Sequence, residues 1–145
     1  MTTSSVLQLP FAASSASVAR RRLVSDLVAA GIYESAVADA AVVISELLSN
    51  ALRHARPLPG ATIRVAWHLS AGAVRISVKD GGGLTLPELG ELSQSTTGGR
   101  GLRIVARLSR HWGTRCDDEG TTVWAEIPCP ELTAVGVPAA ATGSG

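Results

Sequence analysis

Aromatic side chains are nearly missing from this chain: three tryptophans, one tyrosine and one phenylalanine in 145 residues. Its core must therefore rest on Val, Leu, Ile and Ala. Lysine is scarcer still, since Lys79 stands alone among thirteen basic residues. The two cysteines, Cys116 and Cys129, form no CxxC and have no neighbouring histidine pair. That spacing argues against a zinc site and implies no disulfide framework, and they read as small apolar residues suited to a reducing compartment. A formal net charge of +1 gives no global pull toward nucleic acid or a membrane surface. No apolar run approaches the roughly 20 residues that span a bilayer. The N-terminus "MTTSSVLQLPFAASSASVARRR" places its arginines after the apolar residues, the reverse of a secretion signal. There are no internal repeats. These absences point to a soluble cytoplasmic protein with no direct nucleic-acid or membrane contact.

What is present is one domain's worth of chain, 46% hydrophobic and 17% charged, the balance of a globular fold. Ser5 to Leu9 reads as a first strand after a flexible N-terminus, residues 1–4. Ser14 or Ser15 can cap a helix that runs to about Ala30, with Val18, Leu23, Leu27 and Val28 as its apolar stripe and Gly31 as its stop. A second helix spans Glu34 to Ala55 and closes at Pro57, Pro59 and Gly60. "TIRVAWHL" and "AVRISVKD" alternate with period two, and Ala71-Gly72 between them predicts a hairpin. From Gly81 to Arg100 the texture is Gly, Ser and Thr, a loop long enough to be functional. A short helix from about Gly101 to Ser109 precedes a second hairpin, "HWGTRCDDEGTTVWAEIP", turning near Asp118 to Gly120. Residues 129–145 read as a disordered tail. The order predicts an α+β two-layer sandwich over residues 5–128: one mostly antiparallel, mixed sheet with helices on one face.

Three stretches carry chemistry. In "SELLSNALRHA" an asparagine sits inside a helix, although its amide competes for nearby backbone groups. Glu46, Asn50 and His54 recur every four residues, so they form one polar stripe on an otherwise apolar helix. A carboxylate, an amide oxygen and an imidazole suit a hard cation, held directly or through water; a solvated outer face is the competing explanation. Asp80 shares the inward face with Val74, Ile76 and Val78, where a carboxylate is costly unless something donates hydrogen bonds to it. Gly81, Gly82 and Gly83 follow, where backbone can approach a flat ligand and a purine amine can supply the donor. An ordinary glycine turn explains the same letters. "TTGGRGLRIVARL" places glycines before an amphipathic helix, leaving N–H groups that favour phosphate, with Arg100 and Arg103 adding charge. It is neither a Rossmann fingerprint nor a P-loop.

Taken in order, "ELLSNALRH", "VKDGGGLTLP" and "TTGGRGLRIV" resemble the N, G1 and G2 boxes of the GHKL superfamily, whose ATP-binding module is the Bergerat fold. The short chain, "GRGL" before a helix and the closing hairpin look most like the stand-alone anti-sigma-factor serine kinase branch (the RsbW and SpoIIAB type). The resemblance implies ATP and Mg²⁺ as cofactors. Asn50 matches the asparagine whose side-chain oxygen ligates Mg²⁺, and Glu46 the carboxylate that acts as general base. Arg53 matches a basic position that touches phosphate; His54 occupies the neighbouring position of an "RH" pair. Asp80 matches the aspartate that takes the adenine amine, and Gly82 the glycine that lets adenine approach. The pattern's usual second glycine, four residues after the aspartate, is Leu84 here, with Gly83 as its substitute. Gly99, Arg100, Gly101 and Leu102 match the phosphate loop. Thr121 resembles the threonine near adenine, with Thr122 as its competitor if the register shifts by one. Leu84 to Thr97 would be a short lid.

The resemblance also implies partners: a sigma factor, an anti-sigma-factor antagonist, or both, and a possible homodimer. Three readings stay open on the sequence. The first is a serine/threonine kinase that phosphorylates the antagonist. The second is a non-catalytic ATP-binding regulator acting by stoichiometric partner binding. The third is a structural domain without nucleotide. No catalytic lysine of the ordinary protein-kinase kind is available, because Lys79 falls on the outward face.

Overall fold

The computed structural model describes residues 3–70, 72–83 and 98–130, with residues 98–101 described in backbone only. The chain order is β1 (Thr3–Pro10), α1 (Ser14–Ala29), α2 (Glu34–His54), β2 (Thr62–Ser70), β3 (Ala73–Asp80), α3 (Gly98–Leu108), β4 (His111–Asp117) and β5 (Gly120–Pro128). The strands form one sheet in the order β1-β2-β3-β5-β4. All four ladders are antiparallel, so among the described strands the expected mixed sheet has no parallel pair. The rest of the architecture is the two-layer α+β sandwich that the element order predicts.

Alternation decides which face is buried. Val65 pairs with Val78 and Val78 with Val123; Trp67 pairs with Ile76 and Ile76 with Ala125. These side chains share one face of the pleat and are all buried. The helices cover that face, and Leu23, Leu27, Val43, Ile44, Leu48, Leu102 and Val105 complete a single core with it. Each large side chain taken out of water there contributes about 1.5–3 kcal/mol. Trp67 compensates for the shortage of aromatics: it is 2% exposed, and its Nε1–H donates to Asp26 Oδ2 at 2.9 Å. Ser5 Oγ–H donates to the same oxygen, also at 2.9 Å, so α1 is stitched to β1 and β2 through one carboxylate.

The long helix α2 buries Ala36, Val37, Ala40, Val43, Ile44, Leu47, Leu48 and Ala51, the three- and four-residue spacing of one broad stripe. By length and composition α2 is apolar enough to cross a bilayer, contrary to the sequence expectation of no such run. Its apolar stripe is instead the centre of the domain core.

Other expectations need correction. The α1 N-cap is Ala13 with no side-chain cap bond, while the Ser15 hydroxyl donates to the Pro10 carbonyl at 2.6 Å. Val18 and Val28 are exposed; Ala19, Leu23 and Leu27 carry the α1 stripe. The stop at Gly31 is as expected: with φ +78° it lets Gly31 N–H reach Val28 O and Ile32 N–H reach Leu27 O, a Schellman ending. The domain is also wider than residues 5–128. Thr3 and Ser4 pair with Leu69 and His68. Cys129 is fully buried and its N–H donates to Gly72 O, while Pro130 O accepts from Tyr33 N–H. The rest of the expected tail lies outside the described residues.

Candidate functional site

The C-terminal half of α2 lies over β3 and β5, and the space between them forms a cavity. Leu47, Asn50, Ala51, His54 and Ala55 wall it from the helix side; Val78, Asp80, Gly83, Thr121 and Val123 wall it from the sheet side. Ala51 and Ala55, one helical turn apart, keep the helix wall low where larger side chains would fill the space. Val78 and Val123 supply a flat apolar floor. Sequence reasoning did not single out this apolar lining as site residues. Its signal was available in the alternation that puts Val78 beside Asp80 and Val123 beside Thr121.

Asp80 ends β3 facing inward and is 4% exposed. Among described residues its carboxylate has one hydrogen bond, from Gly82 N–H to Oδ1 at 2.8 Å. Burial pushes its pKa above the ordinary carboxylate range, and the Gly82 N–H only partly opposes this. The turn that holds it is built by close backbone approach. Gly82 adopts φ +95°, a left-handed conformation that favours glycine, and its N–H donates back to Asp80. A Cβ on Gly81 would overlap the Pro57 carbonyl, and one on Gly120 would overlap the carbonyl of Asp80 itself. Gly81 N–H donates to Arg56 O at 2.7 Å, and Arg56 N–H donates to Gly82 O at 2.8 Å. The chain leaving α2 is thereby zipped to the chain leaving β3, and the Ala55–Gly83 bridge extends that zip. Asn50 and Asp80 thus belong to elements locked together at their ends.

Among the described residues Asn50 Oδ1 is buried without a hydrogen-bond partner. A buried acceptor left unpaired costs about 1–3 kcal/mol and calls for an explanation. A cation or a ligand group in the cavity would satisfy it. Among the described residues no group of three His, Cys, Asp or Glu side chains gathers to hold a metal. Water or a bound anion can supply the other ligands of a cation held by Asn50.

Thr121 is 5% exposed and pairs with Asp80 across β3 and β5, while Thr122 points to the opposite sheet face and pairs with Lys79. The other sequence-selected residues are distributed less tightly. Glu46 is half-buried one turn before Asn50 and does not wall the cavity. Arg53 is exposed, and its Nη2 donates to Ser49 Oγ at 3.0 Å rather than reaching the cavity. Leu102 is a core residue. Gly99, Arg100 and Gly101 fall in the first turn of α3, which begins three residues earlier than the expected Gly101. The expected lid, Leu84 to Thr97, lies outside the described residues.

A larger concavity occupies the uncovered face of the sheet, where Arg75 stacks on Trp124 with 4.0 Å to the ring centroid. Among the described residues it has no buried polar group lacking a partner, so the smaller cavity is the better ligand site. Lys79 also lies on this face. It donates to Glu119 at 2.7 Å and Asp117 at 3.2 Å, and these bonds hold its pKa above the ordinary value.

A family model described as the histidine kinase-like ATPase domain matches residues 9–127. No curated protein matches the chain. Among solved structures it is similar to the crystal structure of the RsbU and RsbW domains of Rv1364c from Mycobacterium tuberculosis, at 25% identity and a TM-score of 0.68. That likeness covers 88% of this chain and 32% of the other, so this chain spans about a third of the length of the protein it resembles.

Proposed function

The chain belongs to the histidine kinase-like ATPase domain family, and from that premise we propose that it is an ATP-binding cytoplasmic regulator. It uses ATP to phosphorylate a serine or threonine on an anti-sigma-factor antagonist, and it alternates between that antagonist and a sigma factor. The observation that carries the reading is the pairing of two unmet polar groups across one apolar cavity: the buried Asp80 carboxylate and the orphaned Asn50 Oδ1.

In this reading Asp80 accepts the exocyclic amine of adenine through the oxygen that Gly82 leaves free. Val78 and Val123 lie against the ring, and Thr121 lies beside Asp80 on the neighbouring strand. Gly82, at φ +95°, contributes backbone and no side chain to the turn, so a flat ring can come close. Asn50 Oδ1 is the group that fits Mg²⁺, which when bound neutralises phosphate charge during phosphoryl transfer. Gly99, Arg100, Gly101 and Leu102 belong to the start of α3, and the first N–H groups of a helix, which have no acceptor within it, suit phosphate oxygens. His54 borders the same cavity. Glu46 is the general base, one turn from Asn50 on the same helix face.

Glu46 stands outside the described cavity wall, and this favours a second reading in which ATP is a conformational ligand and regulation is by stoichiometric binding. Transfer of γ-labelled phosphate to candidate antagonists, compared between wild type and Glu46→Gln, separates the two. Label on a serine or threonine of the antagonist, lost in Glu46→Gln while ATP affinity is kept, supports the kinase. Tight ATP binding without transfer to any antagonist that the protein also binds supports the second reading. A folded protein that binds no ATP in calorimetric titration refutes both.

A further inference from the structure

The uncovered face of the sheet takes no part in the site described above, and its charges are unevenly placed. Val6, Ala66, Ser77, Trp124 and Gly113 form one row across all five strands, in register on every ladder. The row is low because four of its members are small, and Val6 is 68% exposed. Trp124 is fitted into it: a Cβ on Gly113 would come within 3.0 Å of the indole, and Arg75 lies over the ring at 4.0 Å from its centroid. Because β3 and β4 flank β5, the indole is held between the Arg75 guanidinium and the Gly113 backbone. The hollow over this row is lined by Arg75, Arg115 and His68 and, among the described residues, by no carboxylate. The nearby acids already have partners: Glu126 meets Arg110 at 2.8 Å, and Asp117 and Glu119 meet Lys79 at 3.2 and 2.7 Å. Arg75 and Arg115 are exposed, and among the described residues neither forms an ion pair.

We propose that this face is a docking surface for an acidic segment of a partner protein. Carboxylates of the segment pair with Arg75 and Arg115, and an apolar side chain covers the Val6–Ala66 end of the floor. The backbones of the two arginines stand two strands and four residues apart, roughly 16 Å at ordinary strand spacings. About five extended residues cover that length. A second copy of this chain fits poorly, because a hollow that holds arginines and no carboxylate, laid on itself, sets like charges together. Single-stranded nucleic acid fits poorly too: its bases stack on open aromatic faces, and those of Trp124 are taken by Arg75 and Gly113. Among the described residues the hollow buries no polar group without a partner, so it is stable when empty, as a surface met by a transient partner must be. The inference does not depend on the ATP-binding reading, because no residue lines both the hollow and the cavity of Asn50 and Asp80.

The test uses the full chain and a fluorescein-labelled peptide of about ten residues, with two glutamates about five positions apart and leucine between them. Fluorescence anisotropy is expected to show binding that weakens as salt rises from about 50 to about 500 mM. The same peptide with glutamine for glutamate is expected not to bind. Arg75→Glu with Arg115→Glu, still folded by circular dichroism, is expected to bind the acidic peptide at least about tenfold more weakly. Arg20→Glu with Arg21→Glu makes the same change in net charge at exposed positions of α1 and is expected to bind it like wild type. The proposal is overturned if the acidic peptide does not bind, if the glutamine peptide binds as well, or if the two double variants lose affinity equally. It gives way to a nucleic-acid surface if an oligothymidylate of similar length binds more tightly and only Arg75→Glu with Arg115→Glu loses it. It gives way to a self-association surface if wild type sediments as a dimer that the same variant converts to monomer.

Discussion

Replacing Asp80 by asparagine should make the protein more stable and less able to bind ATP. Asparagine has nearly the same shape, and its oxygen can accept the Gly82 N–H that now reaches Asp80 Oδ1 at 2.8 Å. The substitution removes a charge from a site that is 4% exposed and has one described hydrogen bond. By the usual cost of under-satisfied buried polar groups, the apo protein gains about 1–3 kcal/mol at neutral pH. At about 2–4 °C per kcal/mol for a chain of this size, the gain is visible as a raised Tm. With its oxygen held by Gly82, the new amide turns NH₂ toward the cavity, so an adenine amine meets a donor instead of an acceptor. Loss of one charge-assisted hydrogen bond, about 1.5–3 kcal/mol, weakens ATP by roughly 10- to 150-fold. The pH dependence has a definite sign. Burial raises the folded-state pKa of Asp80, so its neutral form supports the fold below the ordinary carboxylate range, and that support is lost as pH rises through the raised value. The stability advantage of Asp80→Asn should therefore grow between about pH 4 and neutrality. Thermal unfolding across that range and calorimetric ATP titration measure both halves. A variant with a lower apo Tm at neutral pH, or one that binds ATP like wild type, refutes the assignment of Asp80 as a ligand group held at the expense of stability.

Three further outcomes follow from the same geometry. Asn50→Ala removes the orphaned buried oxygen and places a better helix former in α2, so apo stability should rise by about 1 kcal/mol; ATP affinity should lose its dependence on Mg²⁺, read by titration with and without the ion. Gly120→Ala pushes a methyl group into the Asp80 carbonyl, so denaturant unfolding should show a loss of about 1–3 kcal/mol and ATP affinity should fall with it. Trp67→Phe keeps most of the buried area but deletes the 2.9 Å bond to Asp26; chemical unfolding should report about 1–2 kcal/mol lost, with ATP affinity unchanged because Trp67 does not touch the cavity.

Much of this protein is written in local sequence. Period-two alternation in "TIRVAWHL" and "AVRISVKD" fixes which side chains face the core, because a one-residue slip would turn every valine and isoleucine to solvent. Gly31 ends α1 because its left-handed backbone, φ +78°, closes the Schellman ending without the penalty of a side chain. Asn50 and Asp80 stood out because each is a polar residue where its element expects an apolar one, a conflict that marks a site. Local sequence was weaker wherever a residue's fate depends on something distant in the chain. Val18 and Val28 looked like core but are exposed, because the position of α1 against α2 and the sheet turns Ala19 inward beside the expected Leu23 and Leu27. Cys129 looked like the start of a tail, yet Gly72, far away in sequence, holds it in the core.

The sequence by itself determined the order of the elements, the inward faces of β2 and β3 and the two polar residues, Asn50 and Asp80, that stand where apolar ones are expected. Only the tertiary structure decided that Asn50 and Asp80 face one cavity, and that Thr121 and not Thr122 borders it. Those facts depend on strand order and on close backbone approach, Gly81 to Pro57 and Gly120 to Asp80. Such contacts join segments far apart in the chain, and no local periodicity records them.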